Sequence, residues 1–164
     1  MYGYRARIGY TSPPVVTEVF PYEFYRIVPE GVTLALTTLV VNNATPEELE
    51  ESYEMSIRVA QEMGRAGVDL LVLGGVPINL CRGVDKVDDL IKTVEKRAGV
   101  PVTTSVTAQL NALRRLGARR LGVVTTNTSS TMDWQYLEHA GYEISASIGV
   151  PTLPPLNHLG KATS

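Results

Sequence analysis

The chain has 164 residues, 44% of them hydrophobic, a net charge of −2, one cysteine and two histidines. That length buries one good core, or one and the beginning of a second. Scattered basic residues, a lone cysteine and no long apolar run argue against nucleic acid, an anionic membrane surface, a disulfide framework and a metal cluster.

Without an apolar signal-peptide core in Met-Tyr-Gly-Tyr-Arg-Ala-Arg, a soluble, cytoplasmic protein is expected. Residues 7–10 form the first strand candidate, stopped by Thr11-Ser12-Pro13-Pro14, where proline removes ladder donors. Residues 15–28 read as irregular and aromatic, with Phe20, Tyr22, Phe24 and Tyr25 covering either a loop or the mouth of a site. Residues 32–41, rich in β-branched side chains, make a second strand. Thr45-Pro46-Glu47-Glu48 then starts a helix with a cap, a first-turn proline and a capping box. Leu49, Tyr53, Ile57, Ala60 and Gly64 give it one buried stripe, and Gly64 or Gly67 ends it.

Residues 67–83 are the centre of the pattern. Residues 68–73 are almost continuously apolar and stop at Gly74-Gly75, as suits a strand buried on both faces of a parallel sheet. The stretch beyond them, with two glycines, a proline and an asparagine, reads as a loop at the carboxyl end of a central strand, where open α/β sheets bind ligands. A helix over about 85–98 follows, with Val87, Leu90, Ile91 and Val94 on one face and Gly99 as its stop. Residues 101–104 form a strand. Ser105 or Thr107 caps a helix carrying Leu110, Leu113 and Leu116, and residues 121–125 make another buried strand. A polar loop, a helix through Trp134, Leu137 and Ala140, and an alternating strand at 142–148 complete the pattern. Alternating strands and helices predict an α/β fold of parallel βαβ units with right-handed crossovers. The expected divisions are 1–117, a partial second unit at 118–150, and an irregular tail at 151–164 with three prolines.

Three stretches together resemble the aspartate/glutamate racemase superfamily, in its maleate isomerase and arylmalonate decarboxylase branch. They are Ile8-Gly9 with Pro13-Pro14, then Leu73-Gly74-Gly75 through Arg82-Gly83, and finally Pro101-Val102-Thr103-Thr104 with Thr107-Ala108, Leu110 to Leu113, Leu116-Gly117 and Arg119-Arg120. The resemblance implies a Rossmann- or flavodoxin-like half of a two-domain racemase-type fold, the second half incomplete here, with a cleft between halves and neither metal nor organic cofactor. Racemases and maleate isomerases of this type carry a cysteine after the central strand of each half. The decarboxylases have glycine at the first position and keep the second cysteine. The first position falls at Gly75, and the next two, hydroxyl-bearing in the decarboxylase, are Val76 and Pro77, which leaves Asn79 as a replacement donor. The second cysteine would lie past residue 164.

Cys81 lies six residues beyond Gly75. It is a small buried hydrophobe in one reading and, with Arg82 and a helix start lowering its pKa, the catalytic candidate in the other. Arg82 is either a partner for a substrate carboxylate or a surface arginine. The expected substrate-binding set is Ser12, Pro13, Asn43, Gly74, Gly75, Val76, Asn79, Thr104, Thr126 and Asn127. The hydroxyls and amides among them fall after strands, and each alone is a turn or cap residue. The leading function is a decarboxylase, isomerase or racemase of small carboxylic acids acting through an enediolate or carbanion. The alternative is a non-catalytic carboxylate-binding or assembly domain. Nucleotide, flavin and phosphoacceptor readings lack their motifs. Thin cover over residues 121–125 predicts a homo-oligomer.

Overall fold

The computed structural model describes residues 2–125 and 132–149. Its main sheet is fully parallel and has the strand order β2-β1-β3-β4, with β1 Ala6–Pro14, β2 Val32–Val41, β3 Leu70–Leu73 and β4 Val102–Thr104. The apolar run of β3 lies between β1 and β4, but only one of its faces is fully buried: Leu70 and Val72 stay partly exposed. Leu71 and Leu73 are fully buried on the face covered by α2 (Pro46–Arg65) and α4 (Val87–Ala98). Leu49, Tyr53, Ile57, Ala60 and Met63 of α2 meet Leu90 and Val94 of α4 there, each large side chain contributing about 1.5–3 kcal/mol by leaving water. The two helices come into close contact at Gly64, where a Cβ would stand 2.3 Å from the Ala98 carbonyl oxygen.

Local chemistry fixes the ends of these elements. Thr45 caps α2, its hydroxyl accepting the Glu48 N–H at 3.3 Å. The Glu48 carboxylate reaches past the cap and accepts the N–H groups of Asn42, Asn43 and Ala44, so it organises the whole β2–α2 turn rather than closing a capping box. The helix runs through Gly64 and ends with Ala66 as its C-cap. Gly99, left-handed at φ 72°, ends α4. Arg7 ties the start of β1 to the α2–β3 turn, donating to the carbonyls of Ala66 and Gly67.

Several sequence expectations change. The aromatic stretch contains a helix, α1 (Val19–Ile27), and Phe20 stacks on Tyr10 with ring centroids 4.0 Å apart. Strand β1 does not stop at Thr11: Thr11 and Ser12 pair with Thr37 and Thr38, and Pro14 reaches Val41 across an irregularity. Those prolines sit where the register already breaks, so they cost no regular ladder bond. Thr104, not Ser105 or Thr107, caps α5 (Ser105–Arg115), accepting the Thr107 N–H at 3.0 Å. Leu110 and Leu113 are only half-buried.

A second sheet pairs β5 (Arg120–Thr125) in parallel with β6 (Glu143–Gly149), and α6 (Met132–His139) lies between them in sequence. Tyr136 and Leu137 of α6 join Leu80, Val87 and Val106 in a smaller core. Neither strand is buried as β3 is: Val124 is 72% exposed and Ile148 63%. The alternation at 142–148 keeps an inner face only at Tyr142 and Ile144.

Candidate active site

The strand ends of a parallel sheet share one rim, and the register here sets Thr11, Leu73 and Thr104 side by side on it. Both threonines are fully buried. One residue further on, the Gly74 N–H donates to the Thr11 carbonyl at 3.0 Å and to Thr11 Oγ1 at 3.2 Å. A Cβ on Gly74 would stand 2.2 Å from that carbonyl oxygen and 2.7 Å from the Tyr10 ring and hydroxyl. Gly75 is left-handed at φ 86°, and a Cβ there would meet Pro13 at 2.5 Å. Two glycines thus let the chain leave β3 against the end of β1.

The chain does not then form a loop. Val76–Leu80 is a short helix, α3, begun by Val76 and Pro77, residues suited to a first helical turn. Because Gly74 spends its N–H on Thr11, it offers none to a ligand. The amides of Gly75 and Val76 have no partner among the described residues. Asn79 donates its backbone N–H to the Gly75 carbonyl; the residue is 2% exposed, and neither side-chain amide atom has a hydrogen-bond partner among the described residues. An unpaired buried polar group costs about 1–3 kcal/mol, so this amide is an exception that calls for a partner.

The structure sets Gly74 and Gly75 against Thr11 and Pro13, with Val76 and Asn79 following in α3 and Ser12 buried in β1 between Thr11 and Pro13. Thr104 is adjacent through β4, but its hydroxyl is committed to capping α5 and to the Thr107 hydroxyl at 3.0 Å. Asn43 is exposed on the β2–α2 turn with its N–H held by Glu48. Thr126 and Asn127 lie outside the described residues.

Cys81 is the C-cap of α3, at the C-terminal end of that helix. Its Sγ lies 4.0 Å from a Glu50 carboxylate oxygen, and burial first, then that carboxylate, push the thiol pKa up rather than down. Arg82 does not await a ligand either. It pairs with Glu50 and, at 2.6 Å, with Glu54, and its guanidinium lies 4.0 Å over the Tyr53 ring. These contacts pin the end of α3 to α2. The residue that sequence reasoning passed over is Tyr10, whose ring rests on Gly74; its position two before Ser12 on one strand face was the available signal.

A profile of the arylmalonate decarboxylase family matches residues 8–153. The chain belongs to the arylmalonate decarboxylase family. Arylmalonate decarboxylase of Bordetella bronchiseptica is 27% identical over 148 residues, which are 90% of this chain and 57% of that protein. Among solved structures, maleate cis-trans isomerase of Nocardia farcinica superposes with a TM-score of 0.82 at 20% identity, over 95% of this chain and 67% of that one. Maleate isomerase of Pseudomonas putida gives 0.75 at 24% identity, over 90% and 64%. A liganded double mutant of arylmalonate decarboxylase gives 0.78 at 25% identity, over 88% and 63%. The chain spans less than three-fifths of the curated relative's length. No described helix is long and apolar enough to cross a membrane.

Proposed function

We propose that this chain provides the carboxylate-holding half of a cofactor-independent enzyme that decarboxylates or isomerises small carboxylic acids through an enediolate. The observation that carries the proposal is the β3–α3 junction. Two glycines are pressed against β1, and among the described residues two successive amides lack partners and the buried Asn79 amide is unpaired. Donors held in place by packing stabilise charge that develops on carboxylate oxygens, without reorganising as the reaction proceeds. When a malonate loses CO₂, the electron pair of the broken C–C bond passes into the remaining carboxylate as an enediolate. A proton delivered to carbon then completes the reaction.

That proton needs a donor beside the junction, and Cys81, the chain's single thiol, is held by Glu50 at the far end of α3. The placement of Cys81 favours the second reading, a carboxylate-binding domain that does not turn over. The purified chain incubated with phenylmalonate, maleate and aspartate separates the two. CO₂ release, fumarate formation or loss of optical rotation that survives repurification supports the enzyme. Binding of malonate without turnover supports the second reading, and absence of both removes the carboxylate site altogether.

A further inference from the structure

The geometry points to the Tyr10 hydroxyl as a carboxylate-binding donor at the glycine junction, in place of the hydroxyls that Val76 and Pro77 lack. This rests on the carboxylate reading above and assigns that site a residue from a different strand.

The phenol lies against the one backbone position able to receive it. A Cβ on Gly74 would stand 2.7 Å from both Tyr10 Cζ and its hydroxyl oxygen, so any other residue at 74 would expel the ring or part β1 from β3. Phe20 stacks on the ring, with centroids 4.0 Å apart and planes 14° apart. Two fixed surfaces leave the phenol little rotational freedom, so a hydrogen bond from it loses little entropy on forming. Tyr10 is half-buried, and its hydroxyl has no hydrogen-bond partner among the described residues. Burial pushes the phenol pKa up, so the group is protonated, a donor, throughout the neutral range.

A phenol donor against Gly74 and two amide donors at the next residues suit an acceptor with several lone pairs, which is what a carboxylate presents. The expected ligand class is a small dianion such as malonate, one carboxylate of which takes the Tyr10 O–H.

The test is calorimetric titration of malonate into the full chain and into Tyr10→Phe, with ultraviolet difference spectra recorded alongside. Phenylalanine keeps the ring stacked on Phe20 and removes the hydroxyl alone. Malonate should bind the variant about ten-fold or more weakly, at unchanged melting temperature, as expected for a lost hydrogen bond to a charged acceptor. In the unaltered chain, binding should perturb the tyrosine absorption band, and that signal should vanish in Tyr10→Phe. Equal affinity in both proteins, or binding with no tyrosine perturbation, overturns the assignment while leaving the carboxylate site standing. No malonate binding by the unaltered chain removes the site and the assignment with it. If Tyr10→Phe does not fold, fluorotyrosine placed at position 10 alone decides: its fluorine resonance should shift when malonate is added, and an unmoved resonance overturns the assignment.

Discussion

Replacing Gly74 with alanine tests whether the junction is built on contact or merely tolerates glycine. The added methyl would lie 2.2 Å from the Thr11 carbonyl oxygen and 2.7 Å from the Tyr10 ring. The first obstacle is backbone in the strand next to β3, so it yields only if β1 and β3 separate or the Gly74–Thr11 bond breaks. Overpacking of this kind costs roughly 1–3 kcal/mol, partly offset by about 0.4–1 kcal/mol from a stiffer unfolded chain. A net loss of about 1 kcal/mol should lower the melting temperature of a chain this long by about 2–4 °C. Gly122→Ala is the internal control. It lies in β5 with nothing within 4 Å of the added carbon, so it should leave stability unchanged or raise it slightly. Urea and thermal unfolding of both variants, followed by far-ultraviolet circular dichroism, measure the contrast. A Gly74→Ala protein as stable as its parent would refute the packing argument.

Two further outcomes follow from the shifted acids. Hydrogen bonds from the Asn43, Asn42 and Ala44 amides hold Glu48 below the usual carboxylate range, so its stabilisation is complete above the ordinary glutamate pKa and is lost as pH falls through the lowered value. Glu48→Gln should therefore reduce the urea midpoint at pH 7 and differ progressively less from the parent in acid; a gap constant from pH 7 to pH 3 contradicts this. Burial and Glu50 raise the Cys81 pKa, so iodoacetamide should modify it more slowly at neutral pH than a simple thiol, and Glu50→Gln should accelerate the reaction. Modification of the native protein faster than the simple thiol would return Cys81 to the catalytic candidates.

Features with a local cause were legible in the sequence. The apolar run at Leu70–Leu73, the Thr45-Pro46 start of α2 and the Gly99 stop of α4 each follow from one residue type at one position. Helix α3 was missed because glycine and proline were read as breakers, whereas Gly75 provides the left-handed turn and Pro77 the first helical turn. Helix α1 is short and carries no side-chain cap, so its aromatics obscured its period. The glycine pair and Asn79 could be named as site candidates from the strand-end rule. That Gly74 gives its amide to Thr11, that Asn79 is left unpaired, and that Tyr10 closes on the junction are consequences of β1 lying beside β3, which no local pattern encodes. Arg82 likewise looked available until α2 brought Glu50, Glu54 and Tyr53 to it.

The smaller sheet makes the chain optically divided. A two-stranded sheet is marginal alone, so β5 and β6 depend for their persistence on the packing of α6 against Leu80, Val87 and Val106. The chain's single tryptophan, Trp134, packs at this smaller core, while the stacked Tyr10 lies beside the glycine junction of the larger sheet. Indole fluorescence consequently follows the weaker of the two sheets, whose core also takes in Val76 and Leu80 of α3. Agreement between the indole signal and the loss of hydrogen-exchange protection in β1 and β3 during unfolding would mean that both sheets melt as one unit; an earlier indole change would mark the smaller sheet opening while the main sheet remained folded.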